Sequence, residues 1–402
     1  MTTADRWLLP DGVEELLPEQ AARAEHLRRR LLDLYHTWGY DLVMPPLMEY
    51  TDSLLVGLGD DLDLRTFKLT DQLSGRTLGI RADFTTQVAR IDAHSLHREG
   101  PVRLCYAGSV LHTRPKSPMA SRSPIQVGAE LYGVPDTAAD VEVVLLMLAT
   151  LQAAGVESLT LDLGHVGIYR SLVAAASLPA ALERRLFDAL QRKAGTDLEA
   201  VLGECTPAEA RQFARLGQLH GGVEVLTRAR EGLADAPGEV ARALDQLEEV
   251  AAAVQSRRPD VALYFDLAEL RGYHYHTGLV FAALAPGRGQ ALANGGRYDH
   301  IGEAFGRARP ATGFATDLKP LITTETPGQP GSAAILAPGG VAGAPGRELW
   351  QRIEQLRGEG ERVVLAFPGQ PSPPGCDRQL VYRDRQWQLA PWPESGPSHS
   401  AG

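Results

Sequence analysis

The sequence contains few cysteines, and they lie far apart. Cys105, Cys205 and Cys376 are the three cysteines of the 402-residue chain, and none belongs to a CxxC pair. Disulfide scaffolds and the common zinc fingers both need closely spaced cysteines. The pattern therefore excludes both classes and is typical of a protein in a reducing compartment.

Long apolar runs and a surplus of basic residues are also missing. The longest apolar stretch, residues 143–149, is far shorter than the ~20 residues of a membrane-spanning helix. The N-terminus has no charged-then-apolar signal pattern. Forty Lys and Arg residues stand against fifty Asp and Glu residues, a formal charge of −10. Proteins that grip nucleic acid usually carry a basic surplus. We therefore expect a cytoplasmic protein that binds neither membrane nor nucleic acid.

The composition predicts a folded chain with more than one core. Apolar residues make up 44 % of the chain and charged residues 22 %, which is typical of globular proteins. Strand patterns come first, helical patterns dominate residues 175–256, and strand patterns then return. This order predicts an α+β fold in which helices flank a mixed or antiparallel sheet and a helical insertion interrupts the strands.

Composition also predicts the domain boundaries. Residues 1–325 form the large core, and residues 326–332, rich in Thr, Pro and Gly, form a linker. Residues 333–390 predict a small α/β piece with strands at 333–336, 362–367 and 379–389 and a helix at 347–356. Residues 391–402 are predicted to be a disordered tail. Glycines 340, 343 and 346 lack the other residues of a phosphate-binding loop, so we interpret them as part of a connector.

Four separated segments carry groups that suit a free amino acid with an imidazole side chain. An anion such as Asp83 suits an α-ammonium group, and a guanidinium such as Arg271 suits a carboxylate. Glu130, Gln126 and a tyrosine hydroxyl suit an imidazole, which has one donor and one acceptor nitrogen. The spacing of Gln126 and Glu130 excludes neither a strand face nor a helix turn. The segments are residues 81–85, 126–130, 271–278 and 294–299.

A pair of histidines is the nearest approach to a metal site. Residues 275–283 read as a strand, which would put His274 and His276 on one face. Two ligands do not close a structural zinc site, which needs four. We therefore expect no metal and no cofactor.

In this order, with the helical insertion before the third, the four segments resemble the catalytic core of histidyl-tRNA synthetases, which are class II aminoacyl-tRNA synthetases. The likeness covers roughly residues 8–322. Residues 40–46, 105–133 and 311–321 resemble the three class II motifs, of which the first is a dimer-interface strand. Two histidine-specific signatures are matched by residues 271–281 and 295–299.

The resemblance implies a histidine site, residue by residue. Asp83 stands where the family has a glutamate and Thr85 where it has its threonine, both on the α-amino group. Arg271 matches an arginine near the carboxylate and phosphate, and His276 replaces a tyrosine of the family. The residues that match the lining of the histidine pocket are Gln126, Glu130 and Tyr298.

Departures from the synthetase pattern fall where ATP would bind. His112 occupies the position of the arginine that grips the α-phosphate, and Arg114 that of a glutamate. Asp317 replaces a glycine of the third motif, and Pro320 its arginine. An imidazole and a proline cannot replace two permanently charged, fork-shaped donors. We therefore expect no adenylation activity.

The part of the chain that would bind an anticodon is short and uncharged on balance. About seventy residues follow the predicted linker, whereas the resemblance implies roughly a hundred in a synthetase. From residue 328 onward, seven arginines and no lysine stand against seven acidic residues. This balance is unfavourable for holding an anticodon stem.

A synthetase core with these departures resembles the regulatory subunits of ATP phosphoribosyltransferase. That resemblance implies a non-catalytic partner of the short-form catalytic subunit in a hetero-oligomer, required for the first step of histidine biosynthesis and for feedback inhibition by L-histidine. Self-association would use the class II dimer interface. The alternatives are a divergent histidyl-tRNA synthetase and a tRNA-binding or sensor module.

Overall fold

The chain forms two compact units, Met1–Thr326 and Pro327–Gly402. The computed structural model describes residues 7–55, 60–115, 117, 120–322, 333–367, 369 and 375–392. The predicted linker therefore lies outside the described residues, and so does the predicted tail from 393 onward. All three cysteines are free thiols.

Helices account for much of the large unit and for one element of the small one. The α-helices are α1 (Pro18–Thr37), α2 (Thr51–Leu54), α3 (Asp60–Arg65), α4 (Thr85–Arg90), α5 (Thr137–Ala153), α6 (Val166–Ala176), α7 (Ala180–Gln191), α8 (Gly195–Leu202), α9 (Pro207–Leu216), α10 (Glu224–Gly232), α11 (Gly238–Arg257), α12 (Leu318–Leu321) and α13 (Gly343–Gly358). A π-helical turn, Ile91–Leu96, and a 3-10 turn, Ile301–Phe305, complete the helical elements of the described residues.

Strands occur in both units. They are β1 (Asp41–Leu42), β2 (Met48–Tyr50), β3 (Phe67–Thr70), β4 (Thr77–Ile80), β5 (Val102–Ser109), β6 (Ile125–Tyr132), β7 (Thr160–His165), β8 (His220–Gly221), β9 (Ala262–Asp266), β10 (Leu279–Leu284), β11 (Ala293–Arg297), β12 (Ala311–Asp317), β13 (Ala334–Ala337), β14 (Val363–Leu365), β15 (Cys376–Arg383) and β16 (Gln386–Pro391).

A nine-stranded mixed sheet organises the large unit. Its described strands follow the order β1-β5-β6-β12-β11-β10-β7-β9-β8. The six central strands, β5 to β7 in that order, pair antiparallel, while β1 pairs parallel with β5 and β7 pairs parallel with β9. One face carries the main core with α1, α5 and α11, and the other carries a smaller cluster that includes Phe84 and Tyr106.

Helix α1 shows how the sequence pattern produces the packing. Pro18 occupies the first turn, where its missing N–H costs nothing. The buried face consists of residues three or four positions apart, which lie on one side of an α-helix. Gly39, with φ of 81°, turns the chain after the helix. The buried residues are Ala24, Leu27, Leu31 and Tyr35.

The helical insertion contains one strand that the sequence pattern does not predict. Helices α7 to α11 lie between β7 and β9, and β8 joins the edge of the main sheet by pairing with β9. Strand β8 has only two residues, too few to show an alternating pattern. Further along the chain, β10 begins at Leu279 rather than at Tyr275. The chain turns at Gly272, whose carbonyl accepts hydrogen bonds from the backbone N–H groups of Tyr275 and His276.

A second sheet lies ahead of the segment that carries Asp83. Strands β2, β4 and β3 pair antiparallel in that order, and β3 with β4 forms a hairpin. Asp71 at the loop accepts hydrogen bonds from the backbone N–H groups of Leu73 and Ser74. These bonds stabilise the turn that joins the two strands.

The small unit is a four-stranded sheet with one helix. Strands β14, β13 and β15 are parallel, and β16 pairs antiparallel with β15. The single strand predicted at 379–389 is in fact the hairpin β15–β16, because Asp384 and Arg385 adopt φ of 48° and 60° and reverse the chain. Pro391, predicted as the start of the tail, is the last residue of β16.

The predicted connector in the small unit is partly helical. Gly343 and Gly346 lie in the first turn of α13, which begins four residues before the predicted start at 347. Leu349, Ile353 and Leu356 bury one face of this helix against the sheet and offset the low helix propensity of the glycines. Among the described residues, no helix combines the length and apolar character needed to cross a membrane.

Candidate functional site

Strand β6 positions two of the predicted site residues. Gln126 and Glu130 belong to the strand, and residues two apart along a strand share a face. Gly128 lies between them on that face. The neighbouring strand β12 presents Gly313 opposite Glu130. A Cβ atom at Gly313 would lie 1.5 Å from Glu130 Oε2, so only glycine leaves room for this carboxyl group.

Three hydroxyl groups from three different elements converge on Glu130. Tyr106 of β5 donates to Oε1 at 3.0 Å, and Thr85 at the start of α4 donates to Oε1 at 3.4 Å. Tyr298, directly after β11, donates to Oε2. Burial raises the pKa of Glu130 to about 8, opposed by the three hydroxyl donors and reinforced by the charge of Asp83. The carboxyl group can therefore gain or lose a proton near neutral pH.

Asp83 and Gln126 form the next part of the site. Asp83 Oδ1 accepts from the backbone N–H of Thr85 at 2.7 Å, and its Oδ2 accepts from Gln126 Nε2 at 2.8 Å. Gln126 Oε1 accepts from the backbone N–H of Phe84 at 3.1 Å. A carboxylate held by two donors offers its remaining lone pairs to a ligand cation. We call the following residues the Glu130 cluster: Asp83, Thr85, Tyr106, Gln126, Glu130 and Tyr298.

His276 lies beside this cluster, in a turn and not in a strand. Its ring centroid is 6.4 Å from that of Tyr298 and 4.1 Å from that of Tyr275. Nδ1 is 3.2 Å from the carbonyl oxygen of Arg297, which only accepts, so Nδ1 carries the proton. Burial lowers the pKa of His276 to about 4, and the ring is therefore neutral at pH 7. The interpretation that places His274 on the same strand face is wrong, because the ring of His274 packs against Phe187 and Tyr273.

Arg271 is also a predicted site residue, but its side chain contacts residues outside the Glu130 cluster. Its guanidinium donates to Glu269 Oε2 at 2.8 Å and is about half exposed. It lines a small cavity together with Glu269, Tyr275 and His276. The cavity holds about 30 Å³, which is room for one functional group of a ligand. Tyr275 and His276 therefore lie between Arg271 and the Glu130 cluster.

A buried ion-pair network holds Arg297, the residue that precedes Tyr298. Arg297 Nη2 donates to Asp140 Oδ2 at 2.8 Å, and its Nη1 donates to Asp299 Oδ1 at 3.2 Å. Arg297 also supplies the carbonyl group that holds His276. Sequence reasoning missed Tyr106, Arg297 and Asp140. Gly128, within the segment 126–130, makes room for Tyr106, because a Cβ atom at this position would lie 2.5 Å from the tyrosine hydroxyl oxygen.

A second region, which we call the Asp317 corner, contains two of the positions predicted to differ from synthetases and a cation beside each of them: His112 with Arg122, and Asp317 with Lys319. Asp317 Oδ1 accepts from the backbone N–H groups of Ile125 and Lys319, both at 3.1 Å. Lys319 Nζ pairs with Glu14 at 3.2 Å, and its side chain is 9 % exposed. Asp317, as an acceptor, and Lys319, as a donor, therefore hold neighbouring chain segments together.

Arg122 is engaged in the same way. Its Nε donates to the His112 carbonyl at 3.0 Å and its Nη1 to the Asp11 carbonyl at 2.9 Å. His112 is buried, and its Nε2 donates to the Ala82 carbonyl at 2.9 Å. Within the described residues, moreover, no group of three or more His, Cys, Asp and Glu side chains is arranged to hold a metal ion.

Two family models match the chain, one on each unit. The model described as histidyl-tRNA synthetase matches residues 12–321. The model described as ATP phosphoribosyltransferase subunit HisZ C-terminal domain matches residues 332–390. Among solved structures, an ATP phosphoribosyltransferase regulatory subunit/histidyl-tRNA synthetase from Bacillus halodurans is 27 % identical with a TM-score of 0.80, covering 93 % of this chain and 96 % of its own.

Further relatives are similar to this chain in fold or in sequence. Histidyl-tRNA synthetase from Nostoc, 17 % identical over 94 % of this chain and 91 % of its own, has a TM-score of 0.76 and shows the shared fold. The predicted fold class is thereby confirmed. Proteins named ATP phosphoribosyltransferase regulatory subunit from Pseudomonas aeruginosa and Azotobacter vinelandii are 58 % and 56 % identical to this chain, and each alignment covers 97 % of this chain and 99 % of the relative. The chain belongs to the family of ATP phosphoribosyltransferase regulatory subunits, which is built on a histidyl-tRNA synthetase core.

Proposed function

We propose that this chain is the non-catalytic regulatory subunit of a short-form ATP phosphoribosyltransferase and that it binds L-histidine as its inhibitory effector. The names of the relatives support the first part. The single observation that carries the second part is the Glu130 cluster. In it, a buried carboxyl group, an amide and a second carboxylate converge on one face of the central sheet.

The cluster offers partners for each end of histidine. Glu130 accepts from the imidazole N–H, while Tyr298 and Gln126 lie within reach of the ring. Asp83 and Thr85 take the α-ammonium group, since Asp83 retains free lone pairs beside its two donors. Arg271 binds the carboxylate of histidine, with Tyr275 and His276 lying between this arginine and the Glu130 cluster. The neutral ring of His276 replaces a phenol without adding charge to the pocket.

The Asp317 corner explains the absence of synthetase chemistry. Among the described residues, two cations near the position proposed for a triphosphate are engaged: Arg122 by two backbone carbonyl groups and Lys319 by Glu14. Freeing either of them for a phosphate breaks contacts that hold residues 11–14 to the core. Losing one charge-assisted contact costs about 1.5–3 kcal/mol. ATP therefore binds too weakly for adenylation, and the chain is not an enzyme.

Its partners are the catalytic subunit and a second copy of the chain. The segment that resembles the first class II motif exposes apolar side chains, with Met44 79 % and Leu42 43 % exposed. Exposed apolar patches of this kind mark protein–protein contacts. Self-association through this segment builds the core of a cytoplasmic hetero-oligomer. No cofactor, metal or nucleic acid takes part.

Reconstitution with the short-form catalytic subunit tests the proposal. Turnover is expected only with both chains present, and L-histidine is expected to inhibit it. Glu130→Ala is expected to keep turnover and lose inhibition. A catalytic subunit that gains no activity from this chain contradicts the regulatory role. Inhibition that survives in Glu130→Ala instead places the histidine site elsewhere.

A further inference from the structure

The cavity beside Arg271 contains an acidic residue with no role in the proposed histidine contacts. Glu269 is two residues before Arg271, and its two oxygens accept from the backbone N–H of Arg271 at 2.7 Å and from its guanidinium at 2.8 Å. The Glu269 side chain is 20 % exposed, while that of Arg271 is 49 % exposed. In the unliganded protein, an internal carboxylate thus occupies the guanidinium that would receive a ligand carboxylate.

The surroundings of the pair are also acidic. Asp162 lines the same cavity, and its Oδ1 is buried with no hydrogen-bond partner among the described residues. Burial, with the charges of Asp266 and Glu269, raises the pKa of Asp162 to about 6. Asp266 is paired with Lys193 at 2.6 Å. Three carboxylates, Asp162, Glu269 and Asp266, therefore lie near Arg271, and a second cation, Lys193, pairs with Asp266.

Such a field discriminates between ligands by their charge. A single carboxylate can replace Glu269 on Arg271, since one anion takes the place of another. A phosphate carries more negative charge and faces Asp162 and Glu269 without an additional cation. Desolvated like charges at short range oppose binding strongly.

We propose that Glu269 determines the ligand specificity of this site: it competes for Arg271, admits a ligand with one carboxylate and rejects a phosphate. This inference rests on the proposed binding of histidine. Selectivity against phosphorylated ligands then has two sources. One is the acidic surroundings of Arg271, and the other is the lack of free cations proposed for the Asp317 corner.

Calorimetric titration with three ligands that share the imidazole and the α-ammonium group tests this role. L-Histidine carries a carboxylate, L-histidinol an alcohol and L-histidinol phosphate a phosphate ester. In Glu269→Gln, we expect histidine to bind about three- to fivefold more tightly, because a partly exposed competing ion pair is lost. The phosphate ester is expected to gain more, and histidinol to remain unchanged. The ratios within one protein are independent of the fraction that is folded.

Two further variants complete the test. Arg271→Ala is expected to abolish the preference for histidine over histidinol. Glu204→Gln is the matched control, because Glu204 pairs with Arg185 at the same 2.8 Å in the helical insertion, and it is expected to change none of the ratios. A wild type that binds histidine with ratios unaffected by Glu269→Gln overturns this inference alone. A wild type that binds none of the three ligands contradicts the proposed function itself.

Discussion

The Glu130 cluster and the Asp317 corner are both built around the nine-stranded mixed sheet but use their polar groups differently. In the Glu130 cluster, side chains from β5, β6, α4 and the end of β11 hydrogen-bond chiefly to one another. In the Asp317 corner, Arg122 donates to backbone carbonyl groups, and Lys319 pairs with Glu14 near the N-terminus. The side chains of the Glu130 cluster can exchange these partners for a ligand, whereas those of the Asp317 corner join neighbouring chain segments and cannot be released without loosening the fold.

Under the proposed function, this difference separates structural polar groups from ligand-binding ones. The Asp317 corner would contribute to stability, and the Glu130 cluster would bind the ligand. Substitutions should therefore separate the two regions: one set alters ligand affinity and the other alters the free energy of unfolding.

Glu130→Ala should cause the largest change in affinity. Removing the carboxyl group leaves buried hydrogen-bond donors without their partner, which costs about 1–3 kcal/mol, so histidine should bind roughly five- to a hundredfold more weakly. Calorimetric titration measures the change. Glu142→Ala is the control, because Glu142 also accepts from a tyrosine, Tyr40, at 3.0 Å but lies outside the cluster. Unchanged affinity in Glu130→Ala would show that the Glu130 cluster is not the histidine site.

The same residue should make stability depend on pH. The pKa of Glu130 in the folded chain is raised from 4.5 to about 8, so folding favours the protonated carboxyl group. The associated stabilisation is complete below pH 4.5 and is lost as the pH rises through 8. Relative to Glu130→Gln, which does not titrate, the wild-type Tm should fall by about 5 °C between pH 5 and pH 9. Thermal melts without ligand would contradict the prediction if the two curves run parallel.

Lys319→Ala should lower stability without changing affinity for histidine. Its ammonium group is largely buried and contacts Glu14, Ser121 and Ser123, so its loss should cost about 1 kcal/mol of unfolding free energy. Denaturant titration measures this cost. Lys68→Ala is the matched control, because Lys68 pairs with Asp63 at 2.7 Å on the surface and should contribute little. Equal effects of the two variants would show that the Asp317 corner has no structural role.

Tyr106→Phe should have the smallest effect and would sharpen the boundary of the cluster. The variant removes one of three donors to Glu130, which raises the carboxyl pKa further and weakens histidine binding by about two- to fivefold. Tyr169→Phe serves as control, since that hydroxyl contacts the Glu183 carbonyl at the insertion. If both variants bind histidine equally well, Tyr106 belongs to the packing of the site and not to its chemistry.

The sequence predicts the regular parts of the fold well because hydrophobic periodicity is local. The helical pattern predicted for residues 175–256, where α7 to α11 lie, is an example. Two failures have physical causes. The reversal at Asp384 and Arg385 uses two left-handed residues without a Gly, so the Asp–Gly or Asn–Gly pair that signals such a turn is missing. Gly343 counts as a helix breaker, yet tertiary packing of Leu349 and Ile353 extends α13 back to it.

The candidate site is predictable where one segment supplies both residue type and spacing. Gln126 and Glu130 follow from a single strand, and the structure brings them together with Asp83, Thr85 and Tyr298. Tyr106 escapes because its role depends on the pairing of β5 with β6, which opposes it to Gly128. Pairing between strands is set by long-range packing that the local pattern does not contain.

Histidine-dependent exchange of pyrophosphate with ATP tests the central claim most directly. With purified protein, Mg²⁺, ATP and histidine, we expect no exchange above background, while calorimetry on the same sample detects histidine binding. Measurable exchange that requires histidine would contradict the account, because it would show that the Asp317 corner still holds a nucleotide in a reactive position.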